Sequence, residues 1–168
     1  RVRIYMIAAA LTIAALGIPL VSWLYLGTVS RGFAAVASAA YPGAVYRLPV
    51  DEKLIALTID DGPSREYTET MLDILQEHDA KATFFLISDN IEGNEKAVRR
   101  IVHEGHELGH HMKTGRPSLS LPPEEFEACF DEAEAVLSEF APMSWYRPGS
   151  GLFDDRMRSY AESRGYRL

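Results

Sequence analysis

Short apolar runs alternate with longer amphipathic stretches from residue 54 to the end of the chain, and this alternation constrains the fold most strongly. The apolar runs, which have the length of buried or extended strands, are 54–59, 82–87, 106–112 and 143–147. The amphipathic stretches, which repeat apolar residues at helical spacing, are 66–78, 94–105, 122–140 and 154–164. Strands that alternate with helices pair in parallel through right-handed crossovers. The sequence therefore predicts an α/β fold of four strand–helix units, with a fifth strand beginning near Tyr166.

Capping residues define several of the predicted helix ends. Asn94 is expected to cap the second helix, and Gly105 is expected to end it. Residues 122–125 place two prolines before two glutamates, which is typical of a first helical turn. Asp154 or Asp155 is expected to cap the last helix.

A long uncharged segment precedes this region. No charged residue occurs from Ile4 to Gly27, and about 20 residues suffice to cross a bilayer as a helix. Trp23 and Tyr25 lie near the end of the segment, where interfacial aromatic residues are common. The segment therefore predicts a transmembrane helix. The alternative is a cleaved signal peptide with its cleavage site at Ala37–Ala39, although the apolar run is long for a signal core.

We accordingly predict three parts: a transmembrane anchor at 1–30, a linker at 31–50 and a domain at 51–168. The arginines around the anchor favour a single-pass membrane protein with a cytoplasmic N-terminus and an extracytoplasmic domain. The chain begins with Arg1 and ends at Leu168, where a further strand is expected, so we expect the domain to be partial.

Charge and cysteine content exclude some classes of partner. Residues 51–168 carry 13 basic and 24 acidic side chains, a net charge of −11, which disfavours binding to nucleic acid. The single cysteine, Cys129, lies in the apolar stripe of a predicted helix, so we interpret it as a core residue. No disulfide within the chain can form, and no disulfide-linked partner is predicted.

The first candidate functional motif follows the first predicted strand. Asp60 and Asp61 are adjacent carboxylates, and a Gly-Pro pair after them turns the chain. Side chains at the carboxyl ends of parallel strands point into the site of many α/β enzymes. Adjacent acids in that position can divide metal binding and general base catalysis between them. The alternative is a plain turn at a strand end, for which Asp-Gly-Pro is common.

The second motif places four of the five histidines of the chain within residues 103–111, which suggests a metal site. Within it, His106-Glu107-Leu108-Gly109-His110 matches the H-E-x-x-H signature of zinc metallopeptidases, which requires a helix. Two glycines make a continuous helix doubtful. As a strand, the segment instead groups His106 with His110 on one face and Glu107 with His111 on the other.

The third motif is the glycine-rich loop after the fourth predicted strand. Arg147 ends the strand and can orient a carboxylate. Gly149 and Ser150 follow in a loop whose backbone N–H groups can bind an oxyanion. The alternative is a simple glycine-rich turn.

In this order and spacing, the motifs resemble the polysaccharide deacetylase family, which is carbohydrate esterase family 4 or the chitooligosaccharide deacetylase homology domain. The resemblance covers residues 53–168, and its segments are Thr58–Pro63, Ala82–Leu86, Gly105–His111 and Arg147–Gly151. It implies a distorted (β/α) barrel, incomplete in this chain. It also implies a hydrolase that removes N-acetyl or O-acetyl groups from a polysaccharide or oligosaccharide.

The resemblance also implies roles for individual residues. Asp60 would be the general base, with Arg147 holding it in position. Asp61 and His111 would bind a divalent metal, which in the family is often zinc and is expected to be zinc here. A backbone N–H near Ser150 would stabilise the oxyanion.

Two positions depart from the family pattern. Gly115 stands where the family has its second metal-binding histidine, and His110 stands where the family usually has asparagine. Two protein ligands are fewer than the three that catalytic zinc usually has. We consider His110 or His106 as a substitute for the missing histidine ligand. These departures motivate an alternative, a non-catalytic membrane-tethered relative that binds carbohydrate. A zinc metallopeptidase that uses His106, Glu107 and His110 is a third hypothesis.

Overall fold

The computed structural model of the chain describes residues 32, 35–39, 43–46, 50, 52 and 54–168. The chain divides into two compact units, Arg1–Leu48 and Pro49–Leu168. In the first unit, residues 32 and 35–39 are helical. The predicted anchor at 1–30 lies outside the described residues, and the described helices include none long and apolar enough to span a bilayer.

The second unit is built on a sheet of three parallel strands in the order β1-β2-β3. The strands are β1 (Thr58–Gly62), β2 (Thr83–Leu86) and β3 (Glu107–His110). Thr58 pairs with Thr83, and Leu86 pairs with His110. The predicted parallel α/β fold is confirmed.

The fourth and fifth predicted strands are present only as isolated parallel bridges. Tyr146 pairs with His110, and Arg167 pairs with Trp145. Backbone hydrogen bonds accompany both bridges, from the His110 N–H to the Trp145 carbonyl and from the Tyr146 N–H to the Arg167 carbonyl. The sheet therefore continues beyond β3 in the predicted order, although these segments pair through too few residues to form regular strands.

Four helices alternate with the strands, as the apolar periodicity predicts. They are α1 (Thr68–Glu77), α2 (Glu95–His103), α3 (Pro123–Leu137) and α4 (Asp155–Ser163). Asp154 caps α4, because its Oδ1 accepts the Met157 N–H at 2.8 Å. Asn94 precedes α2 but does not cap it through its side chain, which donates instead to the Asn90 carbonyl. Gly105 follows α2 in the left-handed conformation that ends many helices.

Two apolar clusters form the core. The first lies between the sheet and helices α1 and α2 and includes Leu72, Phe84, Val98, Ile101 and Leu108. The second lies around α3 and α4 and includes Met112, Phe126, Phe130, Tyr146 and Met157. Cys129 packs partly buried against the second cluster, and burial raises the pKa of its thiol.

The first predicted strand differs from the expectation. The strand begins only at Thr58, and Leu54, Ile55 and Leu57 are exposed, with Ile55 93% accessible. β1 pairs with β2 alone, so within the described part of the chain it is an edge strand. The prediction that 54–59 is a buried strand is therefore wrong: residues 54–57 lie outside the strand, Thr58 is exposed and Ile59 is only half-buried. An apolar run does not reveal whether a neighbour is present.

His110 lies in the second cluster and is fully buried. Its ring stacks on Phe130 with a centroid distance of 4.0 Å, and the edges of Tyr146 and Tyr166 surround it. Nδ1 accepts the Met112 N–H at 3.2 Å, so the proton of the neutral ring lies on Nε2 and is donated to the Phe130 carbonyl at 3.0 Å. Burial lowers the pKa of His110 from its ordinary value of 6.5 to about 4.

Acid should destabilise the domain through this buried histidine. Between pH 6.5 and 4 the unfolded chain protonates His110 while the folded chain does not, so the free energy of unfolding falls as the pH falls. The expected loss is about 3 kcal/mol from this residue. Urea denaturation at several pH values measures it, and His110→Asn should show a correspondingly shallower dependence. Equal pH dependence in both proteins would contradict the prediction.

Candidate active site

The three motifs meet at the carboxyl-terminal edge of the sheet, where α/β folds commonly place their sites. Asp60 and Asp61 lie at the end of β1, and His111 directly follows β3. Arg147 follows the Tyr146 bridge and joins the same edge, because its N–H donates to the His110 carbonyl at 3.0 Å. Four of the residues predicted to form the site are therefore brought together.

Arg147 fixes the first aspartate. Its Nη1 donates to Asp60 Oδ1 at 2.6 Å and to Thr58 Oγ1 at 3.0 Å. The guanidinium also lies over the Phe85 ring, 4.1 Å from its centroid. This contact further restricts the orientation of the arginine side chain. The contact that the sequence predicts between Arg147 and Asp60 is present. Because the Asp60 side chain remains 36% accessible, the carboxylate is both held in place and open to solvent.

The main chain of the same arginine orients His111. His111 Nδ1 lies 2.6 Å from the Arg147 carbonyl, which can only accept, so Nδ1 carries the proton. His111 is buried, and its other nitrogen, Nε2, lies 3.3 Å from Asp61 Oδ1. In the neutral ring these two atoms are both acceptors. Their contact is favourable only with a proton on Nε2 or with a cation nearby.

A divalent metal fits this pair of donors. Imidazole nitrogen and carboxylate oxygen are ordinary zinc ligands, and a hydrogen bond from the other ring nitrogen to a carbonyl is the usual support for a ligating histidine. Asp61 has a positive φ of 65°, and its carbonyl accepts from Asn90 Nδ2 at 2.9 Å. Its side chain is 76% accessible, which leaves room for a ligand.

Within the described part of the chain, no third protein donor joins this pair. Among the residues described, no group of three or more His, Cys, Asp or Glu side chains could hold a metal ion. Gly115 is exposed and has no side chain that could bind a metal. The donors that the structure provides are therefore Asp61 and His111.

The suggestion that His110 or His106 supplies the missing ligand is contradicted. Both ring nitrogens of His110 bind backbone groups inside the core. His106 lies at the opposite end of β3, and its Nδ1 accepts the Ala82 N–H at 3.2 Å.

The zinc metallopeptidase hypothesis is wrong for a related reason. Its motif lies on strand β3, so His106 and His110 cannot share a helical face.

The glycine-rich loop forms a short 3-10 turn at Gly149–Gly151. The Gly149 N–H donates to Ser118 Oγ at 2.9 Å, and the Gly151 N–H donates to the Pro148 carbonyl at 3.0 Å. Gly149 therefore cannot offer its N–H to an oxyanion, which corrects the expectation for this residue. Ser150 is in the left-handed conformation and is exposed.

Ser118 is a residue of the site that the sequence did not indicate. It is fully buried, and its contact with Gly149 joins segments 31 residues apart. A Cβ on Gly149 would lie 2.6 Å from the Arg116 carbonyl oxygen, so the two segments approach at backbone distance. Burial raises the pKa of the neighbouring Tyr146 phenol, an effect that the Ser118 hydroxyl partly opposes. No local sequence pattern identifies such a long-range contact.

Removing the Ser118 hydroxyl should loosen the loop. Ser118→Ala leaves the buried Gly149 N–H without an acceptor, which costs about 1–3 kcal/mol of stability. We expect faster hydrogen exchange at the Gly149 amide, measured by NMR. Ser120→Ala is the matched control, because that exposed hydroxyl in the same turn bonds only the Pro117 carbonyl. Unchanged protection of Gly149 in Ser118→Ala would contradict the assigned contact.

Comparisons with known proteins identify relatives of this chain. The sequence profile described as polysaccharide deacetylase matches residues 47–168. A peptidoglycan-N-acetylglucosamine deacetylase of Bacillus cereus is 32% identical over 123 residues, which are 72% of this chain and 57% of that protein. The chain therefore spans little more than half the length of this relative.

Solved structures agree with the sequence match. A carbohydrate esterase family 4 pseudoenzyme from Bacillus anthracis superposes with a TM-score of 0.69 and 28% identity, over 75% of this chain and 46% of that one. A family 4 acetyl xylan esterase from Clostridium thermocellum, in complex with a cobalt ion, gives a TM-score of 0.59 and 29% identity, over 62% and 53%. The profile match, the sequence identity and the shared fold together show that the chain belongs to the polysaccharide deacetylase family, carbohydrate esterase family 4.

Proposed function

We propose that the chain is the metal-binding part of a deacetylase that hydrolyses N-acetyl or O-acetyl groups of a polysaccharide or oligosaccharide. One observation carries the proposal: Arg147 holds Asp60 through its guanidinium and His111 through its carbonyl, beside Asp61. A general base and a pair of metal donors thus share one open edge of the sheet. Family membership supports the same reaction class.

Each residue then has a defined part in hydrolysis. Asp60 accepts a proton from the attacking water, and Arg147 keeps the carboxylate in position. Asp61 and His111 Nε2 would hold the metal, which when bound would supply Lewis acidity for the hydrolysis. The Ser150 N–H donates to the oxygen that gains negative charge as the carbonyl is attacked. Ser118 keeps the loop that carries this N–H in place.

The relatives support the choice of metal and substrate class. The cobalt ion in the acetyl xylan esterase supports a divalent metal, and we expect zinc in this chain because histidine and carboxylate are ordinary zinc ligands. The name of the Bacillus cereus relative supports an N-acetylated amino sugar as the substrate. The esterase supports O-acetyl groups as a second possibility for the same chemistry.

Metal binding provides the first test of this proposal. Calorimetric titration of the purified chain with Zn²⁺ or Co²⁺ should show about one ion per chain. The affinity should be weaker than at sites with three protein ligands, because solvent completes the coordination. His111→Ala should abolish the stoichiometric binding. His103→Ala, which replaces an exposed histidine on α2, is the matched control and should bind as the parent chain does. Equal metal binding by both variants would show that His111 does not bind the metal.

Acetate release provides the second test. The chain loaded with metal should release acetate from N-acetylated oligosaccharides, and Asp60→Asn should lower the rate by about 10²–10⁴-fold because the general base is lost. Metal binding should persist in this variant, since Asp60 is not a ligand. Asp79→Asn is the control, because asparagine tolerates the left-handed conformation of that distant, exposed residue. Full activity in Asp60→Asn would refute the assigned role.

A non-catalytic carbohydrate-binding relative is the second candidate function. The observation that favours it is the pair of protein donors where three are usual, with Gly115 at the place of the missing histidine. The similarity of this chain to a pseudoenzyme of the same esterase family adds support. Oligosaccharide binding without metal uptake or acetate release would favour this candidate over the deacetylase.

We also propose that residues 1–30 anchor the protein in a membrane and place the domain on the extracytoplasmic side. The uncharged run from Ile4 to Gly27 supports this proposal. Alkaline phosphatase fused after Leu168 should be active in a bacterial host, because that enzyme folds only outside the cytoplasm. Deletion of 1–30 should abolish the activity. An inactive fusion to the intact chain would contradict the proposed orientation.

A further inference from the structure

His110 directly precedes His111. The proposed chemistry does not use its side chain, which connects several parts of the molecule. The ring is fully buried, and its two nitrogens bind backbone groups of Met112 and Phe130. A buried histidine with this pair of contacts is neither a ligand nor a proton carrier. Its position next to His111 nevertheless gives it a direct influence on the site.

The first contact stabilises the turn that follows His111. Met112 has a positive φ of 69°, a conformation that is unfavourable for a non-glycine residue. Its N–H is accepted by His110 Nδ1 at 3.2 Å, and its carbonyl accepts the Ser88 N–H at 3.1 Å. A side-chain acceptor that binds the N–H two residues later is the arrangement of an Asx turn, made here by imidazole. His111 is therefore held between a paired strand and a stabilised turn.

The second contact fixes β3 against α3. Nε2 of His110 donates to the Phe130 carbonyl, and the imidazole stacks on the Phe130 ring. The main chain of His110 adds bonds to the Trp145 carbonyl and from the Arg147 N–H. His110 thus joins the strand before His111 to the segment whose carbonyl orients the His111 ring.

We propose that His110 is a positioning residue, which through its contact with the Met112 N–H sets the orientation of the His111 ring and keeps its Nε2 directed toward Asp61. This proposal rests on the proposed function only where it takes His111 to hold the metal. The orientation itself is a property of the chain without metal. It can therefore be measured whether or not the deacetylase proposal is correct.

Two substitutions separate the two contacts. Asparagine supplies an acceptor for the Met112 N–H but is too short to reach the Phe130 carbonyl. Leucine fills much of the space and supplies neither contact. If His110 positions His111 through the turn at Met112, His110→Asn should preserve the orientation of His111 and His110→Leu should lose it.

The test measures the His111 ring by NMR and then the metal affinity. In the parent chain, the Nδ1–H bonded to the Arg147 carbonyl should give a slowly exchanging downfield signal, assigned by its absence in His111→Ala. His110→Asn should retain this signal and bind Zn²⁺ within about threefold of the parent, although it melts at a lower temperature. His110→Leu should lose the signal and bind at least about tenfold more weakly.

Either substitution can overturn the proposal. Retention of the His111 signal and of parental affinity in His110→Leu would show that the ring is oriented without His110. Loss of the signal in a folded His110→Asn would show that the contact with Met112 does not position His111. This second outcome remains decisive if His110→Leu does not fold. A parent chain that gives the signal but binds no metal would instead count against the proposed function alone.

Discussion

The site depends on one ladder of backbone hydrogen bonds across the carboxyl ends of the strands. The Ile87 N–H donates to the Gly62 carbonyl, and the His111 N–H donates to the Leu86 carbonyl. The Arg147 N–H continues the series by donating to the His110 carbonyl. Each segment thereby leaves the sheet in register with its neighbour. The side chains that follow the strands meet because the main chain is aligned first, and their own contacts then refine the geometry.

Arg147 combines two functions that are often divided between residues. Its guanidinium binds Asp60, while its carbonyl accepts from His111, so one residue positions both the proposed base and a proposed metal donor. Its stacking on Phe85 and its backbone bond to His110 limit its own movement. A displacement of this residue would therefore disturb both halves of the site together. The arrangement also gives the acidic domain a fixed positive charge beside its two adjacent aspartates.

The sequence predicts the helices and the contact between Asp60 and Arg147 well, because both depend on recognisable sequence patterns. Periodicity locates the four helices, and the family motifs bring Asp60 into contact with Arg147. The assignments for Gly149 and His110 fail because their polar groups are used by partners distant in sequence, namely Ser118 and Phe130. Spacing along a chain shows which groups can bind a ligand. It does not show which of them the fold has already engaged.

The environment of Gly115 bears on how such a site changes during evolution. A Cβ there would meet only Ile87 Cδ1, at an ordinary contact distance of 3.6 Å, and the backbone is not in the left-handed region. The position therefore accepts a side chain without rearrangement of the core. Every glycine codon lies one nucleotide substitution from a codon for an acidic residue. A carboxylate at this place is thus one substitution away, and the fold would accept its Cβ without rearrangement.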